Sequence, residues 1–236
     1  MGRREPTPNE QRVVLENVSW QKFETLLSEM GGDRTSPATP PRVTRFTYER
    51  GRLEMMNPLE DHERCRKLIE SLLLVLVDEL EWTVESEIAP CLLRQDLQLG
   101  TEPDACYYVN PQATRTTTHR PAELTARSVI DLNREPVPDL IQEVALTKSQ
   151  IDKLPIYAAL GVPEVWRYVT QPGAGFFKGD LVVYVLEQDF YAESTLSQVF
   201  PFLPAAKILE FIEHSDSMGL MAALRVFRAW VEEQIP

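Results

Sequence analysis

At 236 residues, with 43% hydrophobic and 25% charged side chains, the chain has the composition of an ordinary globular protein and enough apolar material for a sizeable core. Its 24 basic residues stand against 36 acidic ones, a formal net charge of -12, which weighs against indiscriminate nucleic-acid binding unless the basic residues gather on one face. The longest apolar run, residues 72–77, falls far short of the roughly 20 residues that span a bilayer, and no apolar segment follows the charged first five residues, so a cytoplasmic protein without membrane contact is expected.

Residues 31–42 are rich in Gly, Ser, Thr and Pro without apolar periodicity, which predicts a flexible loop. Two short strands, residues 46–48 and 52–56, flank Glu49-Arg50-Gly51 and read as a hairpin. Over residues 62–81 the apolar positions Cys65, Leu68, Ile69, Leu72, Val75, Leu76 and Leu80 recur every three or four residues, the stripe of a helix, and Glu60, Asp61 and Glu63 suit its positive N-terminus. Residues 82–88, 91–94, 105–109, 139–146, 164–169 and 181–187 are short, β-favouring segments that supply a central sheet. Between the third and fourth of them lie residues 110–138, a polar stretch with four prolines, expected to be a surface insertion or a lid. Ile151, Leu154, Tyr157 and Leu160 mark a second helix closed by Gly161, and Leu220, Leu224, Phe227 and Val231 a third. The reading is one α/β domain over residues 1–236, with a mixed central sheet flanked by helices and helical packing near residues 195–236.

Cys65, Cys91 and Cys106 are odd in number and lack metal-ligand spacing, so they read as buried reduced thiols. No G-x-S-x-G elbow is present, the three histidines are scattered, and Gly173-Ala174-Gly175 lacks the surroundings of a phosphate loop. His62, at a helix start, reads as a capping or packing residue.

The constellation that could carry chemistry is Glu102-Pro103-Asp104 before one strand, Glu143 inside another, and Lys153 at a helix start. Two carboxylates on adjacent strand ends can hold Mg2+, which prefers hard oxygen ligands, while a lysine stabilises charge developing on phosphate oxygens. Alternation puts Gln142 and Val144 on one strand face and Ile141, Glu143 and Ala145 on the other, so Glu143 shares its face with apolar neighbours and needs a cation, a metal or a proton. The plainer alternatives are a salt-bridged strand glutamate at 143, a turn aspartate at 104 and a solvated lysine at 153. A cation in a first helical turn opposes the dipole by roughly 0.3 to 1 kcal/mol, a small cost that favours a role for Lys153.

Four strings in this order, residues 48–58 with His62-Glu63, residues 102–108, residues 138–147, and Ile151-Asp152-Lys153-Leu154 with Ile156-Tyr157 and residues 160–166, resemble the Uma-two family of restriction-endonuclease-like proteins from about Trp20 to Leu209. The resemblance implies the PD-(D/E)XK nuclease fold, with Asp104 as the motif aspartate and Glu143 as the motif acid. Ala145 stands where the usual lysine would be, and the family pattern matches Lys153 on the following helix instead. Glu54 matches a family glutamate, Lys148 offers a second lysine nearby, and Pro155 requires the helix to begin near Asp152 or Lys153. The implied activity is Mg2+- or Mn2+-dependent phosphodiester hydrolysis with Asp104 and Glu143 as metal ligands and Lys153 completing the catalytic set. The implied partners are nucleic acid, DNA first, and a second copy of the chain in a homodimer. A catalytically degenerate binding or regulatory protein that keeps the fold is the alternative. Arg42, Arg45, Arg50 and Arg52 are a candidate basic patch, with a solvated hairpin face as its plain counterpart.

Overall fold

The structure is a computed structural model, which describes residues 11–30, 44–110, 129–170 and 178–235. The loop predicted at 31–42 and most of the insertion, residues 111–128, lie outside the described residues.

The α/β prediction holds, with the sheet content divided: two mixed six-stranded sheets stand where one central sheet was expected. The first contains β1 (Gln11–Leu15), β2 (Arg45–Glu49), β3 (Arg52–Asn57), β5 (Cys91–Arg94), β6 (Leu99–Thr101) and β8 (Val129–Asp131), in the order β1-β3-β2-β6-β5-β8. The second contains β4 (Thr83–Ile88), β7 (Ala105–Asn110), β9 (Leu140–Ala145), β10 (Glu164–Thr170), β11 (Gly179–Glu187) and β12 (Phe190–Ser194), in the order β12-β11-β10-β9-β7-β4. Each sheet has one parallel pair, β5 with β8 and β9 with β10, and is otherwise antiparallel. The predicted hairpin is β2–β3, closed by Arg50 and Gly51 at φ 45° and 98°. Both residues are left-handed, the two-residue turn whose twist matches the flanking strands, and Gly51 meets that demand without a Cβ penalty.

Among the described residues five helices pack around the sheets: α1 (Trp20–Met30), α2 (Glu60–Glu79), α3 (Lys153–Leu160), α4 (Ala205–Met218) and α5 (Leu220–Gln234). The α2 stripe buries Leu68, Ile69, Leu72, Leu73 and Leu76 against one face of the second sheet, where α4 and α5 complete the same core. Each fully buried side chain of this kind contributes about 1.5–3 kcal/mol. The opposite face of that sheet, through Cys106, Ile141 and Val165, meets α3 and the β5, β6 and β8 part of the first sheet. Helix α1 covers the first sheet with Trp20 and Phe23, whose rings pack on Tyr48 of β2. All three cysteines are buried and stand outside any disulfide, as expected.

Pro103 lies in the link from β6 of the first sheet to β7 of the second, so residues 102–104 carry the chain from one sheet to the other. Glu102 fixes that crossing, accepting the Phe46 amide on Oε2 at 3.0 Å and donating its own N–H to the Phe46 carbonyl at 3.0 Å. Helix α3 begins at Lys153, with Asp152 as its N-cap accepting from the Leu154 amide at 3.1 Å, which seats Pro155 in the first turn. Gly161 ends it at φ 81°.

Candidate active site

The register of β7 against β9 pairs Ala105 with Gln142 and Cys106 with Ile141. One step further along the same ladder sets Asp104 opposite Glu143, and the Asp104 carboxylate accepts the Val144 amide on Oδ2 at 2.7 Å. Alternation along β9 separates its side chains as predicted, although both faces are buried. Gln142 turns towards α2, donating to the Arg66 carbonyl at 3.0 Å and accepting from the Tyr107 hydroxyl at 2.8 Å. Glu143 points the other way, towards α3.

There the Lys153 ammonium lies 3.0 and 3.1 Å from the two Glu143 oxygens and donates to the Glu102 carbonyl at 2.8 Å. The Tyr157 hydroxyl, one helical turn further along α3, donates to Glu143 Oε1. The structure therefore brings Asp104, Glu143 and Lys153 into one cluster where the chain crosses between the sheets. Lys148, the second candidate lysine, is exposed on the loop after β9, and Ala145 is only part-buried.

Three residues of this cluster were not read from the sequence as site residues. Of the two roles read for His62, packing holds and capping does not: its ring is buried, with Nδ1 3.1 Å from Asp104 Oδ1. Arg45 is also buried, its Nη2 3.0 Å from Glu63 and 3.8 Å from Asp104 Oδ1. Proximity of His62 to Glu63 and to the hairpin arginines was the available signal, but sequence alone does not show which strand β2 pairs with, nor that α2 begins beside Asp104. Tyr157 was visible as an apolar helix position and within the Ile156-Tyr157 string of the resemblance, neither of which assigns it a role.

The two carboxylates differ electrostatically. Burial works to raise the Asp104 carboxyl, but the charge and hydrogen bond of His62, with Arg45 and Lys153, outweigh it and hold the group well below the ordinary aspartate value. Burial pushes Glu143 above the ordinary glutamate value, Lys153 opposes that rise, and the neighbouring Asp104 charge adds to it. The cluster thus holds Asp104 below and Glu143 above the ordinary carboxylate values.

Among the described residues no group of three or more His, Cys, Asp or Glu side chains is arranged to hold a metal ion. Mg2+ does not demand such a group, because it is commonly held by one or two carboxylates with the remaining positions given to water and phosphate. Asp104 and Glu143 are the two acids of the cluster that could serve as such a pair, and the Lys153 ammonium sits on the Glu143 carboxylate.

Glu54 lies outside this cluster. Its buried carboxylate accepts from Arg12 at 2.6 Å, the Ser149 hydroxyl at 2.7 Å and the Gln150 amide at 2.7 Å. The proposed arginine patch also divides: Arg42 is outside the described residues, Arg45 is buried in the cluster, and Arg52 pairs with Glu16 at 3.2 Å and Glu49 at 3.8 Å, while Arg50 is exposed at the turn. A single four-arginine surface is not present, because Arg45 is buried with most of β2 and acidic neighbours offset Arg52.

No helix of the described residues is long and apolar enough to cross a membrane. No curated protein matches the chain. The sequence profile of Uma2, described as "putative restriction endonuclease", matches residues 36–210, a span that contains the hairpin, Asp104, Glu143 and Lys153 and covers more than half of the sequence. The chain belongs to the Uma2 family.

Proposed function

We propose that this protein is a Mg2+- or Mn2+-dependent endonuclease that hydrolyses phosphodiester bonds of nucleic acid, DNA first. The observation that carries the reading is the convergence of Asp104, Glu143 and Lys153 in a buried cluster, in a member of a restriction-endonuclease-like family.

Asp104 and Glu143 would hold the ion. When bound, it supplies positive charge to the phosphate oxygens and acidifies water. The chain's own residues prepare the rest. His62 and Arg45 keep Asp104 ionised, and the Val144 amide fixes the direction of its carboxylate. Tyr157 holds Glu143 from within α3, so the acid cannot swing away when Lys153 releases it. Lys153 is a compact cation on a flexible stem, suited to move from Glu143 to a phosphate oxygen and to stabilise the negative charge that develops there. A homodimer belongs to the same proposal, and sedimentation equilibrium measures it.

Cleavage of supercoiled plasmid and labelled oligonucleotides with Mg2+ or Mn2+, with chelator controls, tests the reading. Metal-dependent cleavage that falls about 100-fold or more in Lys153→Ala is expected. No cleavage with either ion, or cleavage undiminished in the variant, contradicts it. The second reading, a nucleic-acid-binding or regulatory protein without catalysis, is favoured by one observation: the Lys153 ammonium contacts both oxygens of the acid that would otherwise meet the ion. DNA binding without cleavage in the same assay selects it.

A further inference from the structure

The five residues before the N-cap of the helix that carries Lys153, 147–151, are held by side chains from the other sheet. Glu54 on β3 is 2% exposed, and its Oε2 accepts the Gln150 amide at 2.7 Å and the Ile151 amide at 3.4 Å. Its Oε1 accepts from the Ser149 hydroxyl and from Arg12 Nη1. Arg12 lies on β1, opposite Met56 in the antiparallel register and so diagonal to Glu54 on the same face. The same guanidinium donates through Nε to Thr147 Oγ1 at 3.1 Å. Arg12 and Glu54 thus grip both ends of the segment, at Thr147 and at residues 149–151. Strand β1 is outside the span matched by the family profile, which begins at residue 36.

We propose that Arg12 and Glu54 form a positioning clamp that holds residues 147–151 and so sets Lys153 on Glu143, with β1 contributing from outside the matched family span. The backbone amides of Gln150 and Ile151 need a fixed acceptor because the loop has no ladder of its own, and Glu54 needs a cation because it is buried. Arg12 supplies the cation and, through Thr147, couples the clamp to the end of β9. The contacts of Arg12 and Glu54 fall on Thr147 and on residues 149–151, so both act on the pair through the segment that leads into Lys153. The catalytic importance of Lys153 rests on the proposed nuclease function, whereas the clamp itself does not.

The test uses the metal-free full chain as wild type, Arg12→Ala, Arg12→Lys and Glu54→Gln, with Glu143→Gln as a control that frees the Lys153 ammonium. Trace amine labelling read by mass spectrometry compares Lys153 with the exposed Lys22 and Lys67, and hydrogen exchange follows the peptide spanning residues 147–152. In Arg12→Ala and Glu54→Gln, Lys153 labelling and exchange in that peptide should rise about three-fold or more, with the reference lysines unchanged, and Arg12→Lys should return part of the protection. Wild-type labelling and exchange in both Arg12→Ala and Glu54→Gln overturn the clamp, as does a rise shared equally by all lysines and peptides, which marks general destabilisation. The readout does not involve cleavage, so the clamp and the nuclease reading fail separately.

Discussion

Glu143 on β9 and Glu164 on β10 are both buried on neighbouring parallel strands of one sheet, yet their carboxylates are met in different ways. Glu164 accepts from the Gln198 and Val199 amides at 2.6 and 2.8 Å and from the Trp166 indole N–H. These donors belong to the backbone of residues 198–199 and to a rigid indole in the core, so they cannot leave without unfolding that region. Glu143 is met by a lysine on a flexible stem and a tyrosine hydroxyl. A cation can replace the first of these, and nothing can replace the donors of Glu164. Burial of an acid therefore does not by itself mark a functional site, and on the proposed reading it is the replaceable partner that sets Glu143 apart.

The largest expected effect breaks the comparison on stability. Glu164→Ala leaves two amides and an indole N–H without their acceptor, a loss of about 3 kcal/mol or more in urea unfolding, with divalent-ion binding at the other acid retained. Glu143→Gln should cost about 1 kcal/mol or less in the metal-free protein, because a carboxyl held above its ordinary value already carries a desolvation cost. Equal stability losses in the two variants would remove the distinction.

A pH series sharpens it. The folded Glu143 carboxyl lies above its ordinary value of 4.5, so protons compete with a divalent ion in a window above that pH. Ion affinity should rise as pH increases through that window, with proton release visible in buffers of different ionisation enthalpy. Glu54 behaves with the opposite sign. Burial acts to raise it, but Ser149, the Gln150 amide and Arg12 together hold it below 4.5. Its contribution to stability is present above the unfolded value and is lost as pH falls through the lower folded value. Glu54→Gln should therefore flatten that part of the acid-unfolding curve.

The smallest effect concerns the hairpin. With Arg45 buried and Arg52 offset by Glu16 and Glu49, replacing Arg50 and Arg52 by Gln should change the salt slope of DNA binding by less than about one unit. A larger drop would show that this turn is a main contact surface after all.

Much of the second sheet was legible because its strands are long and apolar. Residues 105–109 and 181–187 read as strands, and the structure places β7 at Ala105–Asn110 and β11 at Gly179–Glu187. Strands β6 and β8 are three residues each and carry no period to detect, and every residue of β1 is at least part-exposed. Helix α1 has a clear stripe of Trp20, Phe23 and Leu27 that was passed over beside the polar stretch following it. Division into two sheets was not legible, because strand partners are set by contacts distant in sequence. Of the cluster, Asp104, Glu143 and Lys153 could be named because motif spacing carries them. His62 and Arg45 could not, since their closeness to Asp104 depends on where α2 and β2 pack.

The central claim is that Asp104 and Glu143 hold a divalent cation whose place the Lys153 ammonium marks. Calorimetric titration of Mn2+ into the wild type and Glu143→Ala tests it most directly. Binding with proton release in the wild type and its loss in Glu143→Ala is the predicted result, whereas identical binding in both proteins, or none in the wild type, would contradict the account.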